Sequence, residues 1–97
     1  MPTCILLPDD FAALGGLSEL EENGFRVPED ISVIGYDGLV SSKVLGLTTW
    51  EQNSDMLGKK AAEKLIEIIE DSEAIRTGSL TVEGKLIKGT SLGVVLE

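Results

Sequence analysis

The chain has 97 residues with 17 acidic and 8 basic side chains, a formal net charge of −9 that repels a phosphate backbone and excludes charge-driven nucleic-acid binding by this polypeptide alone. It has no histidine, which removes Ser-His and Cys-His nucleophile pairs, histidine general bases and histidine-bearing zinc sites. At 42% apolar and 26% charged it is an ordinary globular chain of one domain, with no apolar run near the roughly 18 to 20 residues of a membrane span and no basic secretory start.

Thr3-Cys4-Ile5-Leu6-Leu7 is a short apolar run closed by Pro8, the pattern of a strand covered on both faces. Cys4, the single cysteine, cannot close an internal disulfide; it is expected to be a small buried side chain in a reducing, cytoplasmic setting. Asp9 and Asp10 are N-cap candidates for a helix over about 10–23, along which Ala12, Ala13, Leu14, Leu17 and Leu20 form an apolar stripe. Asn23-Gly24 predicts its end, with Gly24 as a left-handed C′ residue and Phe25 placed to touch Leu20. Val27-Pro28-Glu29-Asp30 is a turn, because proline fixes its own φ and biases the residue before it toward extended geometry.

Ile31-Ser32-Val33-Ile34-Gly35-Tyr36 predicts a second buried strand, and strand, helix, strand implies a right-handed parallel unit. The stretch from Leu39 to Gly46 is loop-like, and Leu47-Thr48-Thr49-Trp50 is a short extended segment. A second helix over about 54–71 carries Leu57, Ala61, Leu65, Ile68 and Ile69 on one side, with Gly58 suited to close packing against a neighbour. Beyond Thr77-Gly78, the runs Leu80-Thr81-Val82-Glu83 and Lys85-Leu86-Ile87-Lys88 are extended segments about Gly84. Met1 and Leu96-Glu97 are left out of the fold expectation.

In a parallel unit, ligand chemistry gathers beyond the carboxyl ends of the strands, where Asp9-Asp10 follow the first strand and Asp37 follows the second. Two carboxylates at a strand-to-helix junction can hold Mg²⁺ or a polar ligand, but aspartate is also favoured there simply for accepting backbone N–H bonds. Asp37 has no evident capping role, and function and turn formation are equal readings of it. Trp50 suits stacking on a sugar ring or plain packing. The lysines and glutamates between Lys59 and Glu67 form a solvated helix face. The glycines make no phosphate-binding loop and no nucleophile sits beside a base, so no enzyme, cofactor or metal is expected.

The order of several motifs is more specific than any one of them. Pro2-Thr3-Cys4-Ile5 through Asp9-Asp10-Phe11-Ala12-Ala13-Leu14-Gly15-Gly16-Leu17, then Gly24-Phe25-Arg26-Val27-Pro28-Glu29-Asp30-Ile31-Ser32-Val33-Ile34-Gly35-Tyr36-Asp37, resemble the LacI/GalR family almost residue for residue. Leu47-Thr48-Thr49 with Gln52, Leu57-Gly58 with Ala61-Ala62, and Lys88-Gly89-Thr90-Ser91 continue the likeness.

That resemblance implies an α/β fold, a parallel-sheet part of a periplasmic-binding-protein-like type I core in which two lobes enclose a sugar or other small effector. Family members are cytoplasmic regulators that bind operator DNA through an N-terminal helix-turn-helix. The resemblance places about 2–47 in the C-terminal lobe, about 53–71 in an N-terminal-lobe helix and about 78–95 in strands that return. The helix-turn-helix and most of the N-terminal lobe are then outside this sequence.

Asp37 matches the family's effector-binding aspartate. Asp9 stands where the family has asparagine, also an effector contact, so an acceptor-only carboxylate replaces an amide; Pro8 departs as well. Asp10 matches the aspartate that opens the helix, for which capping is expected. The implied partners are a small-molecule effector, operator DNA through the missing domain, and a second copy of the chain, with sheet edges and the second helix left to associate as a homodimer or larger assembly. Two other readings of the same residues are a sugar-binding transport protein of this fold and, more distantly, a receiver-like phosphoacceptor domain.

Overall fold

The structure, a computed structural model, describes residues 2–71, 73 and 78–95. In chain order the elements are β1 (Cys4–Leu6), α1 (Asp10–Glu22), β2 (Ser32–Tyr36), α2 (Val40–Val44), β3 (Thr48–Glu51), α3 (Ser54–Glu70) and β4 (Lys85–Ile87). They fall into two compact units: Met1–Glu51 with Lys85–Glu97, and Gln52–Gly84.

The first unit holds a four-stranded sheet in the order β1-β2-β3-β4. β1, β2 and β3 are mutually parallel and β4 runs antiparallel to β3, so the expected α/β fold with a parallel sheet is present. α1 forms where its caps dictate. Asp9, with φ −154°, accepts the Ala12 N–H at 2.8 Å, satisfying one of the donors that a helix start leaves unpaired. At the other end Gly24 takes φ +82°, and the N–H groups of Gly24 and Phe25 donate to Glu21 O and Leu20 O at 3.1 and 3.0 Å. Those are the two bonds of a Schellman ending, which only a residue tolerant of positive φ completes cheaply.

The core is small: Ala13 of α1, Val33 of β2 and Leu47 before β3 are fully buried, flanked by Leu7, Leu14, Leu17, Leu20 and Val27. Residues alternate across a sheet, so Val33, Gly35, Leu47 and Thr49 face the helices while Leu6, Ile34, Tyr36, Trp50 and Leu86 share the other face. That second face is open toward the carboxyl ends of the parallel strands, with Leu6 70% and Leu86 53% exposed, while Ser32 and Thr48 at its amino end are buried.

At the amino ends of β2 and β3 the segment after β4 is laced onto the sheet. Ser91 Oγ donates to Val33 O at 2.6 Å and accepts the Thr48 N–H at 2.8 Å, while the Val33 N–H donates to Ser91 O at 2.9 Å. The Thr90 and Ser91 N–H groups both donate to Gly46 O. Gly89 lies so close to the Gly46 carbonyl that any Cβ there would collide with it, which accounts for glycine in the Lys88-Gly89-Thr90-Ser91 motif.

Several expectations are corrected. β1 and Cys4 are exposed rather than buried, because β1 is an edge strand and the face bearing Cys4 and Leu6 has no covering layer among the described residues. Within the supposed loop from Leu39 to Gly46, Val40–Val44 forms the short helix α2, which buries only Ser42 and carries Val40 and Val44 outward. No strand forms over Leu80 to Glu83, pairing with β3 beginning at Lys85. Thr77, Met1, Leu96 and Glu97 lie outside the described residues.

The second unit is built on α3, whose start is capped by Asn53 accepting the Met56 N–H at 3.4 Å. Its expected apolar stripe is present in the sequence, but Leu65 and Ile69 are exposed and no residue of the helix is buried. Gly58 correspondingly has nothing within 4 Å of the place a Cβ would occupy, so the close packing expected there is not found.

Candidate functional site

The site lies at the carboxyl ends of the parallel strands. Asp9 follows β1 and Asp37 follows β2, while Asp10 begins α1 between them in sequence. The capping expectation for Asp10 is overturned: Asp9 is the N-cap, and the helix phase turns Asp10 toward the sheet, where it is fully buried.

Burial of a carboxylate demands donors, and Asp10 has them. Oδ1 accepts the Thr49 hydroxyl at 2.6 Å, and Oδ2 accepts the N–H groups of Gly38 at 3.0 Å and Leu39 at 2.9 Å. Desolvation raises the Asp10 pKa, but hydrogen bonds from the Thr49 hydroxyl, the Leu39 N–H, the Ser42 hydroxyl and the Gly38 N–H together outweigh it, and the group is held below its ordinary value. Of these donors the Ser42 hydroxyl is the weakest in geometry, its buried oxygen making no well-formed hydrogen bond. Asp10 is therefore an anion that ties α1 to the turn after β2 and to β3.

Two glycines make room for this arrangement. A Cβ on Gly35 would run into Asp10 Oδ1 and approach Leu47 Cδ2 at 3.0 Å, so a side chain in the middle of β2 would displace the carboxylate. Gly38, at φ +78°, presses its backbone against Glu51, whose Cβ would stand 2.7 Å from an added methyl. A glycine inside an apolar strand is the sequence signal for such a close approach, and Gly35 carried it.

Asp37 is the one described non-glycine residue with positive φ, at +125°. Its own N–H donates to Trp50 O at 2.9 Å, and its neighbours Gly38 and Leu39 are held by Asp10. Beside it Glu51 is paired with Lys43 of α2, which lowers the Glu51 carboxyl against a smaller opposing effect of desolvation, with Lys85 of β4 adding in the same sense. Tyr36 and Trp50 are register partners on the open face, each about 40% exposed.

The structure thus brings Asp10 and Asp37 into one turn, with Asp9 one residue before Asp10 as the helix cap. Among the described residues no group of three or more carboxylate, cysteine or histidine side chains is arranged to hold a metal ion, so the Mg²⁺ reading of Asp9-Asp10 gains no geometry. Among the same residues no helix is long and apolar enough to cross a membrane.

Comparison with known proteins gives this geometry a context. A family described as the periplasmic binding protein-like domain matches residues 1–92. The chain is 43% identical over 77 residues to the HTH-type transcriptional repressor PurR of Mannheimia succiniciproducens, an alignment covering 77% of this chain and 23% of that protein. Among solved structures, a LacI transcriptional regulator from Bacillus cereus subsp. cytotoxis superposes with a TM-score of 0.90 at 32% identity, over 95% of this chain and 33% of that one. The Lac repressor dimer bound to operator and the anti-inducer ONPF gives a TM-score of 0.82 at 33% identity, over 94% of this chain and 32% of that one. The chain therefore spans about a quarter of the curated relative and a third of the solved regulators. With its motifs in family order and residues 1–92 matched, this chain belongs to the periplasmic binding protein-like domain family, in its LacI/GalR branch.

Proposed function

We propose that this chain is the C-terminal part of the effector-sensing core of a LacI-type transcriptional regulator, and that Asp37 and Asp9 line the effector cleft. The single observation that carries the reading is the backbone at Asp37: a non-glycine residue at φ +125°, fixed at the carboxyl end of β2, where parallel-sheet folds collect ligand contacts. Asp37 is the main acceptor for effector hydroxyl or N–H groups and Asp9 a second one. A carboxylate offers only acceptors, so the ligand class is a small molecule rich in donors, a sugar or another compound with hydroxyl or ring N–H groups.

Residues of about 2–47 and 78–95 belong in this reading to one lobe and about 53–71 to the other; the chain divides at Glu51, and its return to the first unit comes at Lys85 rather than near residue 78. Effector binding shifts the balance between lobe arrangements, and a helix-turn-helix outside these residues reads the operator in a dimer. The relative named a transcriptional repressor supports a regulator over a transport protein of the same fold, and a binding role over an enzymatic one. The test is operator binding by the full regulator, wild type and Asp37→Ala, against a panel of monosaccharides and nucleobases. The variant should retain operator affinity and lose the response to whichever compound shifts the wild type. A normal response from Asp37→Ala would end the assignment.

A further inference from the structure

Asp37 occupies a conformation that an L side chain rarely adopts, and Gly38 after it is also at positive φ, +78°. Left to itself such a pair relaxes, so something in the fold must over-determine it. On the strand side the Asp37 N–H is fixed to Trp50 O at 2.9 Å. On the other side the Gly38 and Leu39 N–H groups converge on one oxygen of Asp10, whose other oxygen takes the Thr49 hydroxyl from β3. The Gly38 N–H is shared with Thr49 Oγ1 at 3.2 Å, so the turn, α1 and β3 meet at a single buried carboxylate.

We propose that Asp10 is a positioning residue: by holding the backbone of Gly38 and Leu39 it keeps the strained Asp37 in place and so sets the direction of the Asp37 carboxylate. The proposal rests on the reading of Asp37 as an effector contact and adds how that contact is aimed. Asp10 itself is fully buried and exposes no surface to a ligand. The chemistry of the hold is specific. It needs an acceptor for two N–H groups on one atom and a partner for a hydroxyl on the other, which an asparagine reproduces by accepting with its oxygen and donating to Thr49 with its nitrogen, and an alanine does not.

The experiment is site-resolved amide exchange by NMR on the full chain, comparing wild type with Asp10→Ala, Asp10→Asn and Thr49→Val, together with the Asp37 carboxyl ¹³C resonance. The amides of Val33 and Leu47, which donate to Ser91 O and Ser42 O, serve as the reference for global opening. In Asp10→Ala the Gly38 and Leu39 amides should exchange about tenfold faster or more, as the loss of a charge-assisted acceptor implies, while Val33 keeps its rate. The Asp37 resonance should move with them, and Asp10→Asn should restore both. Protonated Asp10 has the acceptor and donor pattern of asparagine, so lowering the pH should bring the wild-type protection of Gly38 and Leu39, corrected for intrinsic exchange, to that of Asp10→Asn, which should not change.

Unchanged exchange at Gly38 and Leu39 in Asp10→Ala, or loosened amides with an unmoved Asp37 resonance, would overturn the proposal. Should Asp10→Ala not fold, Thr49→Val decides, read at Leu39, whose N–H is held by Asp10 and not by Thr49: Leu39 accelerating beyond Val33 supports the hold, and equal changes at both sites refute it. A full effector response in Asp37→Ala with these amides behaving as expected would instead remove the effector reading and leave the hold intact.

Discussion

The parallel strands are closed at both ends by buried polar side chains, and the two ends differ in charge. At the amino ends Ser91, a neutral hydroxyl 4% exposed, donates to one strand and accepts from the next, completing a ladder that β3 has not yet begun. At the carboxyl ends the same closure is made by an ionised Asp10 with three donors of good geometry. A hydroxyl can both donate and accept, so it satisfies a carbonyl and an N–H without desolvating a charge. A carboxylate only accepts, and burying it is costly unless every neighbour donates. The fold therefore uses the cheaper group where it only ties a segment down, and a charge where two converging N–H groups must hold a strained turn.

The largest effect expected from breaking this symmetry is at the charged end. Asp10→Ala removes the acceptor of two N–H groups and a hydroxyl that remain buried, and should cost about 3 kcal/mol in a denaturant titration of the full chain, from the usual magnitude of charge-assisted bonds and unpaired donors. Asp10→Asn should cost clearly less. If the two variants prove equally destabilised, the donor geometry around Asp10 is not what holds this end.

Ser91→Ala should come next, at about 2 kcal/mol, because it strands Val33 O and the Thr48 N–H together. Its effect should stay at the amino end, leaving the Gly38 and Leu39 amides protected. A loss near zero would show that water or a backbone shift replaces the hydroxyl.

A smaller difference should appear with pH. The Asp10 pKa is lowered in the fold from an ordinary 3.8, so its stabilisation is complete above that value and is lost as pH falls through it toward the lower folded value. Wild type should therefore lose stability relative to Asp10→Asn below about pH 4, whereas Ser91→Ala should show the wild-type slope. Parallel wild-type and Asp10→Asn curves in acid would contradict the assignment of Asp10 as the buried anion.

How much of this was legible follows the same divide between local and distant causes. α1 and the parallel pairing of β1 with β2 were readable because the caps at Asp9 and Gly24 and the stripe from Ala13 to Leu20 are set within a few residues of chain. α2 was not, since Val40 and Val44 point outward and only Ser42 is buried, which inverts the pattern that signals a helix. The two adjacent aspartates were equally good caps on composition, and one residue of helix phase decided which became the cap and which the buried anion. The covering of β1 and the close packing at Gly58 are not found, because burial depends on layers that these residues do not supply, whereas the stripe of α3 is exposed as expected of a helix without its native sheet.

Asp9 sharpens the comparison at the smallest scale, since it holds only a helix start and is also proposed to meet the effector. Asparagine and aspartate are equivalent N-caps, whereas alanine forfeits the bond to the Ala12 N–H. Asp9→Ala should therefore lose about 1 kcal/mol of stability and Asp9→Asn almost none. The effector assay separates the second role, because Asn adds a donor where the carboxylate offers only acceptors. With the cap intact, Asp9→Asn should change which compounds shift operator binding, favouring ligands that present an acceptor at that position. If Asp9→Asn and wild type respond alike across the panel, Asp9 is a cap alone, and the effector contacts of this lobe reduce to the carboxylate that Asp10 holds in place.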